Sequence, residues 1–361
     1  MKKIIILLGI LGLSTAAEQH QLKFNANGKF KMVQFTDIHF GEDEPDDFDN
    51  QRLIKDILDQ EKPDLAIITG DVISGYMWDK KTPGWAAEQY KNLTNVLIEK
   101  QVYWATTAGN HDTEGDLNRT QISELDRSFS YSLTQPNAAN ISHAFNYFLP
   151  VFDESGTDIK FRLWFLDTGH EDCLEVKGWD CIRPDQVEWF RQAHSNITDE
   201  SKGKGFLFVH IPFSEYMEMI NNWDYYGYKG EEVCCGSVNT GIWGALKEQP
   251  TIEWVSAGHD HDNDYYGLYQ NINLAFGRKT GFGGYGPDHF PRGARVFEVT
   301  KEPYGIETWV REDGGNVHRE VQPSKRKLYE YPQTQCGGMT TKGNSKHEWV
   351  EKVTGKKSAS Q

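Results

Sequence analysis

The chain is short of positive charge: 38 Lys and Arg stand against 53 Asp and Glu, a formal net charge of −15. That balance argues against a nucleic-acid-binding surface, which needs a basic stripe. It also leaves any anion site dependent on a concentrated local source of positive charge, such as metal ions. Cysteine is scarce too. Cys173, Cys181, Cys234, Cys235 and Cys336 have no zinc-ribbon spacing, so a thiolate-built metal site is not expected. Cys173 and Cys181 flank a short loop and are the favoured disulfide, and the odd count leaves at least one thiol unpaired or intermolecular. After the N-terminus no apolar run is long enough to span a bilayer, and no internal repeat is visible.

What is present begins with a leader-like N-terminus, MKKIIILLGILGLSTAA. Lys2 and Lys3 precede the apolar stretch Ile4 to Leu13, and small residues run through Ala17. Residues 1–17 are therefore expected to be a signal peptide. The chain is expected to be secreted or to reside in the lumen of the secretory or endolysosomal route. Glycosylation sequons at Asn92, Asn118, Asn140 and Asn196, and cysteines suited to an oxidising compartment, agree with that. A hydrophobic content of 38% and an aromatic content of 13% supply a core for one domain over 24–321. Residues 322–361, rich in Lys, Gly, Ser and Thr, read as a mobile basic tail that Cys336 would pin in part.

Strand and helix patterns alternate along the first third. Lys31 to Thr36 predicts a strand ending at Asp37, and Arg52 to Gln60 a helix with Leu53, Ile54, Ile57 and Leu58 on one face. Leu65 to Thr69 reads as a buried strand, Ala86 to Lys100 as a helix, and Val102 to Thr107 as a strand ending at Gly109-Asn110. Further strands are expected at Phe145 to Phe152, Ile159 to Leu166, Gly205 to Val209 and Ile252 to Val255. A helix is expected from Pro184 through Phe190, and mostly β-structure after Tyr265. The repetition implies an α/β chain with β-α-β units and a largely buried sheet.

Short polar clusters follow the apolar strands: Asp37-Ile38-His39, Gly70-Asp71, Gly109-Asn110-His111-Asp112, Val209-His210 and Gly258-His259-Asp260-His261. Carboxyl ends of strands are where α/β sheets gather ligands. In extended backbone Asp37 and His39 would share a face, as would His259 and His261, so two chelating pairs are expected without backbone distortion. Imidazole suits zinc and iron, and carboxylate can bridge two cations. Two metals about 3.5–4 Å apart would supply a hydroxide nucleophile and neutralise charge on a phosphoryl group.

This ordered set resembles the calcineurin-like metallophosphoesterase superfamily, and within it the small single-domain proteins related to purple acid phosphatases. The likeness continues through DTEGDLNR, FNYFLPV, WDCIRPDQVEWF, VHIPFSEY, GHDHDND, GRKTGFGGYG, PRGARVFEV and ETWVREDG, over roughly residues 30 to 313. The resemblance implies a four-layer α-β-β-α sandwich of two mixed sheets flanked by helices. It assigns Asp37, His39 and His261 to one metal and Asn110, His210 and His259 to a second, with Asp71 bridging. His111 would stabilise the phosphoryl group or protonate the leaving oxygen, with Asp112 nearby to orient it. The metals implied are iron with zinc or manganese. The reaction implied is hydrolysis of a phosphorylated small molecule or phosphoprotein by in-line attack of a metal-bridging hydroxide. Two departures narrow the subgroup: Ser74 stands where purple enzymes carry a metal-binding tyrosine, and His39 where they carry glycine, so a colourless centre is expected. Fewer residues separate Ala17 from Asp37 than an accessory β-domain needs.

Other residues keep two readings. Asp43, Asp46, Asp47 and Asp49 read as a solvated loop rather than a cation site. Asp264 is either an orienting partner of a ligand histidine or a structural cap. Arg278 and Arg119 either reach a substrate phosphate or serve local structure. His289 is divided between loop packing and substrate contact, while His20, His143, His170, His194, His318 and His347 are read as surface or core. Cleavage of phosphodiesters or nucleotides by the same metal centre, and a non-catalytic binding role, are the rival functions.

Overall fold

The computed structural model describes residues 20–320, apart from 139, 200, 202–203, 249–251 and 287–289, together with 323–324 and 332–338. The expected signal peptide, His289, His347 and most of the C-terminal tail lie outside the described residues. The strands are β1 (Lys29–Phe35), β2 (Leu65–Ile68), β3 (Trp104–Thr106), β4 (Tyr147–Phe152), β5 (Ile159–Phe165), β6 (Glu171–Cys173), β7 (Val176–Trp179), β8 (Gly205–Phe208), β9 (Tyr225–Tyr226), β10 (Trp254–Ala257), β11 (Tyr266–Tyr269), β12 (Ile272–Phe276), β13 (Gly293–Thr300), β14 (Gly305–Glu312) and β15 (Val317–His318). One sheet has the order β15-β14-β13-β1-β2-β3, the other β4-β5-β8-β10-β12-β11-β9, and β6 and β7 form a separate hairpin. β1, β2 and β3 run parallel at one end of the first sheet, and β5, β8, β10 and β12 run parallel through the middle of the second.

Side-chain alternation sorts residues into two cores. Phe206 and Phe208 of β8 and Leu163 and Phe165 of β5 join the core between the sheets. Leu207, Val209, Trp164 and Leu166 face the other way, into a second core. Phe297 of β13 closes the space between the sheets, edge-on to Phe206 at 5.3 Å and to Trp254 at 5.5 Å. Helices α1 (Glu44–Glu61), α2 (Trp85–Glu99) and α3 (Arg119–Arg127) pack with the first core, through Leu53, Ile57, Leu93, Leu97 and Ile122. Helices α4 (Pro184–Ser195), α5 (Ser214–Asn222) and α6 (Ile242–Glu248) cover the second. The result is the expected helix–sheet–sheet–helix layering.

One expectation is corrected at α1. The acidic run expected to be a solvated loop is the start of this helix: Asp43 is its N-cap and Glu44, Asp46 and Asp47 fill the first turn, with Pro45 beside them. Carboxylates there meet the positive end of the helix dipole, and proline pre-sets the backbone. The Cys173–Cys181 disulfide forms as expected and staples the β6–β7 hairpin, while Cys235 pairs with Cys336 and Cys234 remains a buried thiol. Among the described residues no helix is long and apolar enough to cross a membrane.

Candidate metal centre

The loops leaving the carboxyl ends of β1, β2, β3, β8 and β10 converge where the two sheets meet, and each carries part of the polar cluster set. Asp37, His39, Asp71 and His261 offer ligand atoms all within 4.8 Å of one another, and Asp71, His210 and His259 do the same. Asp71 belongs to both groups. Its Oδ2 lies 3.1 Å from His210 Nε2 and 3.8 Å from His39 Nε2. The Asn110 Oδ1 lies 3.0 Å from the same His210 nitrogen, and His261 Nε2 lies 3.2 Å from His39 Nε2 and 3.6 Å from Asp37 Oδ1. All seven side chains expected to hold metal are therefore brought together, and all are buried.

The backbone that presents them is not extended. Asp37, His39, Asp71 and His259 have φ of 53°, 59°, 50° and 76°, so the expectation of undistorted chelating pairs does not hold. Strands end two to four residues before the donors, and left-handed backbone at these four positions swings the side chains inward. Such a conformation is strained for residues with a Cβ and is concentrated at functional sites. Two glycines permit the crowding beneath. A Cβ on Gly109 would sit 2.1 Å from Asp71 Oδ1, and one on Gly70 2.3 Å from the Gly109 nitrogen.

Hydrogen bonds fix which histidine nitrogens face inward. His210 Nδ1 donates to the Thr69 carbonyl at 2.6 Å, and His261 Nδ1 donates to the Tyr285 carbonyl at 2.6 Å. In the neutral rings each Nε2 is then a lone pair, aimed at carboxylate, amide and imidazole acceptors at close range. Carboxylate and amide oxygens and imidazole nitrogens that converge at this range are the arrangement a cation satisfies, so the donor set fits metal ions. The titration behaviour carries the same demand. Burial disfavours protonation of His210, but Asp71 and Asp37 raise it to about 9. Burial would likewise push Asp71 up, yet His210 and His111 hold it well below the usual carboxylate range. Burial and the nearby Lys279 ammonium lower His261 to about 3.

His111 lies at the edge of the centre, its ring 5.0 Å from that of His39 and its side chain 31% exposed, so it faces the solvent side from which a substrate must enter. Asp112 does not orient it. That carboxylate is buried and accepts from the backbone amides of Gly109, Val72, Asp71 and Ile73 at 2.7 to 3.2 Å, tying the loop after β3 to the loop after β2. The residue beside the His111 ring is Glu114, 2.9 Å from Nδ1. Glu42 stands in the same relation to His39, at 3.3 Å. Both were missed, although the sequence carries the signal: His39 and His111 are each followed three residues later by glutamate.

Other expectations resolve toward structure. Arg278 is buried in bonds to Asp264 and the Pro291 carbonyl and stacks on Phe290. Arg119 binds Asp167 and the carbonyls of Gly109 and Gly169. Neither reaches toward a phosphate site. Asp264 orients Arg278 rather than a ligand histidine. His170, read as surface or core, donates through Nδ1 to the Asn110 carbonyl at 2.5 Å and so braces a donor residue.

A two-sheet sandwich with Asp, His and Asn donors at its strand ends defines a class of phosphoesterases, and comparison with known proteins agrees. The chain belongs to the calcineurin-like phosphoesterase family, whose model matches residues 30–263. It is 30% identical to Phosphatase DCR2 of Saccharomyces cerevisiae over 85% of this chain and 57% of that protein. It is 27% identical to the Arabidopsis thaliana protein named "Probable inactive purple acid phosphatase 14", over 82% of this chain and 84% of that one. Among solved structures, a dimetal phosphatase from Danio rerio shares the fold, with a TM-score of 0.55, 14% identity, and coverage of 82% of this chain and 98% of that one.

Proposed function

We propose that this chain is a secreted dinuclear-metal phosphatase that hydrolyses phosphate monoesters. The observation that carries the reading is the sharing of Asp71 between two buried donor groups. When bound, two metal ions, iron with zinc or manganese, would supply the hydroxide nucleophile and neutralise phosphoryl charge. Asp37, His39 and His261 would hold one, Asn110, His210 and His259 the other, and Asp71 both. The chain's own chemistry lies at the rim. His111, with Nδ1 against Glu114, presents Nε2 to a phosphoryl or leaving-group oxygen, and the glutamate favours a proton on the ring. Asp112 acts at a distance from the reacting atoms, by locking the loops that carry Asp71 and Asn110. Two disulfides and the leader-like N-terminus support entry into a secretory route.

A second reading, a binding protein without turnover, is prompted by relatives whose names include "inactive". The complete donor set speaks for catalysis. Metal-reconstituted protein assayed in parallel on p-nitrophenyl phosphate and its bis ester separates the alternatives. Turnover of the monoester, abolished in Asn110→Ala together with one metal equivalent, is the expected result. Activity on the diester alone would replace the substrate class, and unchanged rates in the variant would end the assignment.

A further inference from the structure

The turn at 258–263, which carries His259 and His261, is backed by the loop 229–235. The Glu231 carboxylate accepts from the Asp262 amide at 2.7 Å, the Cys234 amide donates to the Asp260 carboxylate at 3.2 Å, and Gly230 donates to the Asp262 carbonyl at 2.9 Å. Loop 229–235 therefore grips the turn residue by residue.

That loop is in turn held by the C-terminal segment 332–338. The Gln333 amide reads both backbone groups of Val233, accepting from its N–H and donating to its carbonyl at 2.9 Å each. Gly337 donates to the same carbonyl at 2.7 Å, and the Cys235–Cys336 disulfide closes the attachment. The segment also reaches a ligand by a second path. Gly338 packs on the Trp179 indole so closely that a Cβ there would lie 2.7 Å from Nε1, and the Trp179 ring meets the His259 ring edge-on at 4.4 Å. His259 is one of the strained donors, with φ of 76°, and a left-handed turn persists only where its surroundings enforce it.

We infer that residues 332–338 form a covalently tethered strap that positions His259 and the turn bearing it, and so governs retention of the cation assigned to His210 and His259. This rests on the dinuclear reading above. The strap acts through Val233 and Trp179 and touches no reacting atom, so its members are positioning residues. The site would then depend on the oxidised state of a disulfide about a hundred positions apart in sequence, which reducing conditions would release.

The test uses full-length protein and two variants, Gln333→Ala and the double Cys235→Ser/Cys336→Ser. Amide exchange is measured without metal, and metal equivalents are counted after dialysis against graded chelator. Both variants should exchange faster across 258–263 with residues 36–40 unchanged. Each should lose one of two cations at roughly tenfold lower chelator, the scale of effects from groups behind a ligand. Retention of both cations as in the wild type would overturn the inference, as would simultaneous loss of both with faster exchange everywhere. Wild-type protein that binds no cation would instead remove the dinuclear reading itself, which the metal-free exchange data distinguish.

Discussion

His111 and Glu114 make the most accessible polar pair of the centre, and their geometry yields a test in which charge and shape separate. Glu114→Gln keeps an oxygen for the Gly75 amide, which donates to Glu114 at 3.2 Å, but removes the negative charge beside the ring. If the glutamate supports a proton on His111, kcat should fall by about ten- to a hundredfold with little change in KM, and His111→Ala should cost on the order of 10²–10⁴. Steady-state kinetics on an aryl phosphate checks both, and an unaltered kcat in Glu114→Gln would detach the glutamate from the chemistry. Gly109 permits a sharper test of position. Its Cβ would enter the space of Asp71 Oδ1, so Gly109→Ala should lose bound metal and about 1–3 kcal/mol of stability; metal analysis and urea melts measure each. At this scale the seven donors were legible because each follows a strand in a fixed order. The glutamates behind His39 and His111 were not, because a carboxylate three residues from a histidine is common on any surface, and only the folded loop turns the two together.

The N-terminal turn of α1 shows how an element can overrule a residue pattern. Asp43, Asp46, Asp47 and Asp49 look like a solvated loop when read as composition, yet Pro45 and the helix dipole favour a helix start at that spot. The crowding has an electrostatic cost. Burial, followed by the repulsion of Asp46, Glu42 and Asp43 working against a bond from Gly41, raises the Asp47 carboxyl to about 6. The unfolded chain releases this proton near its ordinary value of 3.8, before the folded one does. The contribution to stability is therefore full below that value and is lost as pH rises through about 6. Asp47→Asn should stabilise the protein at about pH 7.5, by roughly 1 kcal/mol after allowance for solvent screening, and the gain should shrink toward zero near pH 4. Denaturant melts at the two pH values decide it; an equal gain at both would mean that the charge is not the cause. Elements with continuous apolar runs, such as β2 and β8, were readable from the chain. The β6–β7 hairpin was not, because EDCLEVKGW has no alternation and is held by a disulfide rather than by a buried face. Helix α3 also escaped, though Asn118 and Gln121 form a capping box that marked its start.

For the molecule as a whole, two mixed sheets bring the carboxyl ends of parallel strands from both halves to one rim, and that convergence lets donors from residue 37 to residue 261 meet. The overall charge works against the substrate class proposed for that rim. The whole chain carries a formal net charge of −15, and two buried basic side chains of the region are already committed: Lys279 donates to the Asp37 carbonyl, and Arg278 pairs with Asp264. An approaching dianion would therefore cross a repulsive field before it met the attraction of metals held at the proposed centre. Salt screens the long-range repulsion more than the contact attraction, because the Debye length shrinks from about 30 Å at 0.01 M to about 8 Å at 0.15 M. KM for an aryl phosphate dianion should consequently fall as sodium chloride is raised across that range, while kcat stays level. A phosphate ester carrying a quaternary ammonium group has less net charge to repel and should show a weaker response or none. Initial-rate measurements on the two substrates in one metal-loaded preparation provide the comparison. A KM that climbs with salt for the dianion would mean that local positive potential at the rim outweighs the field of the whole protein, and the recognition of substrate would have to be sought in side chains rather than in the metal centre alone.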